Sequence, residues 1–126
     1  MQIPGELNRR KAMEESYRVL IPGGYFIFTA HDRSLPKWKK FWAIERKKWR
    51  EGKQDPKLLE FGDRFEETTR GMLYIHVTEV DKLRAELKQV GFAVEGDFLR
   101  SKIANESERT KKYSDECRFW ICRKPI

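Results

Sequence analysis

The stretch "RVLIPGGYFIFTAH", Arg18 to His31, constrains the fold more than any other part of the chain. Proline cannot continue a helix and glycine tolerates the turn, so Pro22-Gly23-Gly24 must end the preceding helix. Residues 25–30 are then apolar at odd and even positions alike. A strand of that kind is expected inside a sheet, covered on both faces and flanked on both edges. Residues 1–24 have room for one helix and no strand, so at least one neighbour of this strand is expected to be missing from the chain.

The remaining pattern alternates helix and strand. Residues 7–20 carry Met13, Tyr17 and Leu20 at helical spacing, facing a core. Residues 34–52 predict a second helix, with Ser34 as N-cap, Pro36 in the first turn and Gly52 past the end. Its Trp38, Phe41, Trp42 and Trp49 fall on one face, and Lys39, Lys40, Arg46, Lys47 and Arg50 on the other. Residues 54–59 read as a linker. Residues 65–69 and 72–77 read as a hairpin turning at Arg70-Gly71. Residues 79–90 form the clearest helix, with Thr78 as cap, Val80, Leu83, Leu87 and Val90 as its apolar stripe, and Gly91 as its stop. Phe92, Val94 and Phe98 predict a strand that Gly96 interrupts with a bulge. Residues 102–114 read as an exposed loop, and 117–123 as the last strand. Helices between strands imply an α/β layered fold in a single domain, residues 1–126.

Bulk composition bounds the function. With 27 Lys+Arg against 20 Asp+Glu the net charge is +7, which favours anionic partners such as RNA. No apolar run approaches the ~20 residues of a membrane span, and no membrane partner is expected. Cys117 and Cys122 lie five apart in one strand, pointing to opposite faces, so free thiols and a cytoplasmic location are expected. No His/Cys cluster has zinc spacing, and no metal is expected.

Three segments together resemble class I S-adenosylmethionine-dependent methyltransferases. "ESYRVLIPGGYFIFTAH" is similar to the passage from a helix into that family's fifth strand. "YIHVTEVDKLRAELKQVGFAVEG" is similar to its later strand, capped helix and Gly-Phe entry to the sixth strand, and "CRFWICRKP" to its last, antiparallel strand. Within the family the ubiquinone-biosynthesis and tRNA-wobble-uridine types are nearest, through Tyr74-x-His76 before the capped helix. The resemblance implies a partial Rossmann-like α/β fold, the C-terminal half of the domain, with the last strand antiparallel between the fifth and sixth.

It also implies S-adenosylmethionine as cofactor and methyl transfer as the reaction. Yet no Gly-x-Gly loop follows an apolar strand, and Pro22-Gly23-Gly24 precedes one. The glycine turn that lets backbone approach the cofactor is therefore not in this chain, and the chain alone is expected to be inactive and not to bind it. The expected partner is a second copy or the missing N-terminal half.

His31 and Asp32 sit where the fifth strand ends, the place where ligands bind in open α/β sheets. Asp32 equally serves to open the following loop. Tyr74 and His76 share a strand face, where similar enzymes line the substrate pocket. Histidine can take a proton near neutral pH, and tyrosine can donate a hydrogen bond. The cations of the second helix are the candidates for anion or RNA binding. The rival to methyl transfer is a non-catalytic basic binding module on a degenerate scaffold.

Overall fold

The computed structural model describes residues 1–103, 105, 107–113 and 117–126. In chain order it contains α1 (Glu6–Val19), β1 (Tyr25–His31), α2 (Lys39–Glu51), β2 (Asp63–Thr68), β3 (Gly71–His76), α3 (Val80–Val90), β4 (Ala93–Leu99), α4 (Glu108–Tyr113) and β5 (Cys117–Arg123).

Two sheets form. In the larger, the order is β1-β5-β4, with β5 antiparallel to both neighbours. The last strand thus lies between the two earlier ones, as expected. Its register with β4 shifts between Val94 and Gly96, so the expected bulge is present. The smaller sheet is the β2–β3 hairpin. Thr68 pairs with Gly71, so the loop is Thr69-Arg70, one residue earlier than the sequence suggested. Asp32 forms a parallel bridge with Thr78, which joins the hairpin to the end of β1.

The Pro-Gly-Gly turn is tied to the other end of the chain. Gly23 N–H donates to Lys124 O at 2.7 Å, and Lys124 N–H to Gly24 O at 2.9 Å. The Lys124 ammonium donates to the Tyr17 and Leu20 carbonyls, where the end of α1 leaves acceptors free.

One face of the larger sheet packs under α1 and α3. Met13 of α1, Leu83 and Leu87 of α3, Phe92, and Trp120 and Cys122 of β5 form this core. Phe26 and Phe28 of β1 reach into it. A second core lies between α2 and the hairpin, around Trp42, Ile75 and Val77. The aromatic face of α2 is therefore buried, and Lys39, Lys40, Arg46, Lys47 and Arg50 are all exposed.

Four expectations are corrected. β1 is covered on one face only: Tyr25 is 51% and Ile27 61% exposed, because no described element lies over the odd-numbered positions. Thr78 does not cap α3. Glu79 occupies the N-cap without a side-chain bond, and Thr78 Oγ1 is buried without a partner. Ser34 does not cap α2 either, since a 3₁₀ turn over Pro36–Trp38 precedes the helix and Asp32 holds the serine instead. Finally, the stretch 102–114 contains α4, although residues 104, 106 and 114 of it lie outside the described residues. No helix among the described residues is long and apolar enough to cross a membrane.

Candidate functional site

The sequence candidates separate into three neighbouring places. At the end of β1, Asp32 is 3% exposed and fully engaged. Its Oδ1 accepts the Ser34 N–H at 2.8 Å and the Ser34 hydroxyl at 2.5 Å. Its Oδ2 accepts Arg118 Nε at 3.1 Å from β5. Arg118 reaches on to Asp97 at 2.7 Å, and Arg84 of α3 closes on the other Asp97 oxygen at 2.8 Å. The result is a row of ion pairs across β1, β5, β4 and α3. His31 is half-buried, across from Cys117 in the strand register.

Tyr74 and His76 do come together, on a residue the sequence reading did not single out. Asp63, at the start of β2, is 1% exposed. Its Oδ1 meets His76 Nδ1 at 2.8 Å. Its Oδ2 accepts the Tyr74 hydroxyl and the backbone N–H groups of Leu59 at 3.1 Å and Glu60 at 2.9 Å. Asp63 is an acceptor only when ionised, so Nδ1 carries the proton and Nε2 is left as the basic nitrogen. Burial, the largest cause, lowers the His76 pKa, and the charge of Arg9 adds to it, against the raising pull of the bond to Asp63. Burial and the bond to Asp63 push the Tyr74 hydroxyl up to about 12. At neutral pH the imidazole is neutral, the state needed for a base, and the single phenol proton of Tyr74 is committed to Asp63.

Glu60, Asp63 and His76 present ligand atoms within 4.8 Å of one another. Glu60 Oε1 is also gripped by the buried Arg9 guanidinium. A divalent cation there would face Arg9 and would displace bonds that already satisfy Asp63, so the arrangement is that of a hydrogen-bond network.

The third place is a groove of about 670 Å³ between the β1–α2 connection, α2 and the start of α3. Arg33, Lys39 and Arg46 line it, with Glu79 at one side. Arg33 lies between this groove and the network. Its Nε and Nη2 donate to Val77 O at 3.0 and 2.8 Å, and its guanidinium stacks on Phe61 at 4.9 Å. Gly62, at φ +108°, lets Arg33 pass. Of the sequence candidates for anion binding, Lys39 and Arg46 face this groove. Lys40, Lys47 and Arg50 are not part of its lining.

Arg33, Glu60, Asp63, Arg9 and Arg118 were missed because charged residues abound in this chain and spacing does not show which are buried.

A cradle for S-adenosylmethionine needs glycine backbone with open space beyond the end of a strand. The glycines at positive φ sit elsewhere: Gly5, Gly52 and Gly91 at helix ends, Gly23 in a turn and Gly71 at the start of β3. The space at Gly62 is filled by Arg33. Among the described residues, no glycine turn forms such a cradle.

No protein-family model and no curated protein matches the chain. Among solved structures, it is similar to a SAM-dependent methyltransferase from Methanosarcina mazei, with a TM-score of 0.67 and 18% identity. The match covers 99% of this chain and 55% of that one, so the chain spans about half the length of its neighbour. The shared property is the fold: a mixed α/β architecture of the SAM-dependent methyltransferase kind.

Proposed function

We propose that the chain is the C-terminal, acceptor-side half of an S-adenosylmethionine-dependent methyltransferase, working with a cofactor-binding half that it does not itself form. The observation that carries this reading is the β1-β5-β4 order, with no strand among the described residues paired to the outer edge of β1, in a fold that covers 55% of the neighbouring methyltransferase. His76 and Tyr74 are the acceptor-side groups, with Asp63 holding the imidazole as it would hold a general base. His31 and Asp32 mark the strand end, with Asp32 in a structural role. Methyl transfer needs an acceptor aligned with the sulfonium methyl, and positioning is what an acceptor half supplies.

Calorimetry of the isolated chain with S-adenosylmethionine tests the division of labour. No saturable heat is expected. A micromolar isotherm would show that the chain builds its own cofactor site and would overturn the reading. An in-frame strand and glycine-rich loop in the coding DNA upstream of Met1 would support it.

A second reading, a basic module that binds RNA in the cytoplasm, is favoured by one observation. Lys39, Lys40, Arg46, Lys47 and Arg50 are exposed, and none has a side-chain ion pair among the described residues. Salt-dependent binding of a single-stranded RNA, lost when the five become glutamine, tests it.

A further inference from the structure

The groove beside α2 collects three cations, Arg33, Lys39 and Arg46, against one carboxylate, Glu79. Lys39 and Arg46 have no hydrogen bond or ion pair from their side chains among the described residues. Arg33 spends Nε and Nη2 on the carbonyls of Val77 and Phe61, and its Nη1 makes no hydrogen bond among the described residues. Burial lowers the Arg33 pKa, and the nearby Arg46 charge adds to it, against the pull of Glu79. Two guanidiniums and an ammonium around one concavity repel one another, and an anion relieves that repulsion.

The geometry is more than a charged surface. Arg33 is fixed by backbone carbonyls and by the Phe61 ring, so its orientation is set before any ligand arrives. Lys39 and Arg46 sit on one helix face, seven residues apart, on the same wall. Pro36, Ala43 and Val80 give the groove an apolar floor. Its volume, about 670 Å³, is that of a small-molecule site.

We propose that this groove binds a small organic phosphate monoester, with the phosphate held by Arg33, Lys39 and Arg46 and the organic body on Pro36, Ala43 and Val80. A phosphate monoester carries close to two negative charges near neutral pH and offers three acceptor oxygens, which suits a groove lined by three cations. The proposal deepens the methyltransferase reading by giving its acceptor an anionic group. It rests on that reading only for the word acceptor, because binding alone requires no cofactor.

The test is a titration of the ¹⁵N-labelled chain with phenyl phosphate, followed by amide shifts, with phenol and inorganic phosphate as comparison probes. Saturable shifts centred on residues 33–46 and 79–80 are expected. Phenyl phosphate should bind more tightly than either comparison probe. Arg46→Gln and Lys39→Gln should each weaken it about tenfold, the loss of one charge-assisted hydrogen bond. Lys47→Gln and Arg50→Gln, outside the groove, should leave it unchanged. All four are exposed surface substitutions, and spectra of the free variants confirm that they fold. Equal affinity for phenol, no saturation, or equal losses from all four variants would overturn the proposal. The last outcome would assign the charge to the outer helix face and to RNA. None of these outcomes bears on whether the chain binds S-adenosylmethionine, so the two readings fail separately.

Discussion

Asp32 and Arg118, 86 residues apart in the chain, close an ion pair at 3.1 Å that ties the end of β1 to the start of β5. The Asp32 side chain is 1% exposed and that of Arg118 19%. Removing one partner of a buried pair leaves the other charge unsatisfied, which is worse than never having had the pair. Asp32→Ala should therefore lower stability by about 3 kcal/mol, the low end of the range because Asp97 still holds Arg118. Urea denaturation measures it. A loss under about 1 kcal/mol would mean that water already screens the pair.

The His76–Asp63 contact predicts a pH dependence of stability. The folded-state pKa of His76 is lowered, mainly by burial, below the ordinary value of about 6.5. The unfolded chain then binds more protons than the folded one in the window below 6.5. The stabilisation is complete above about pH 6.5 and is lost as pH falls towards the folded-state pKa. Glu86, whose pKa burial raises, works in the opposite sense from about pH 4.5 upwards. His76→Asn keeps a donor for Asp63 without a titrating ring and should flatten the melting-temperature profile between pH 5 and 7. An unchanged slope would place the dependence on other groups.

Gly62→Ala should be among the most damaging small substitutions. Gly62 has φ +108°, a conformation that an L side chain rarely adopts. A Cβ there would press on the Arg33 guanidinium and come within 2.9 Å of His76 Cε1. Arg33 would have to leave the Val77 carbonyl, so the groove and the network would suffer together. A loss of about 2–4 kcal/mol is expected, combining backbone strain with a displaced hydrogen-bonded cation. Gly52→Ala, at φ +69° with open space around it, should cost less. Similar losses for the two would show that Arg33 simply moves aside.

How far the sequence could be read follows from what kind of force set each feature. The Val80, Leu83, Leu87, Val90 stripe and its Gly91 stop were legible, because hydrophobic periodicity and a positive-φ stop are local. The bulge at Gly96 was legible for the same reason. The Asp63 network was not, because Tyr74 and His76 meet it across a hairpin, and the burial that makes it matter is tertiary. Ser34 and Thr78 looked like helix caps, but Asp32 took the serine, and Thr78, whose backbone bridges to Asp32, keeps its Oγ1 buried without a partner. A cap is a local preference of about 1 kcal/mol, and a buried carboxylate in need of donors outweighs it.

The open side of β1 predicts self-association of the isolated chain. β5 occupies one edge of β1, and among the described residues no backbone hydrogen bond is made on the other by residues 25–30. Met1, Gln2 and Ile3 line a groove beside that edge, yet the Met1 backbone bonds to His76 rather than to β1. Tyr25 and Ile27 project from the uncovered face beside this edge. An unpaired, apolar, proline-free edge is a template for another strand, and neither a bulge nor an inward charge discourages pairing here. The simplest closed solution is a two-fold dimer with β1 paired antiparallel to its own copy, extending each three-stranded sheet through the other. Light scattering over a concentration series should show a mass rising from 15.1 kDa to twice that value. Ile27→Lys, which puts a charge on the face beside the seam, should shift the midpoint to higher concentration. Amide exchange along residues 25–30 should slow as the dimer forms. A monomer at the highest concentration, with those amides already slow, would show that the chain shields its own edge and would end the dimer proposal.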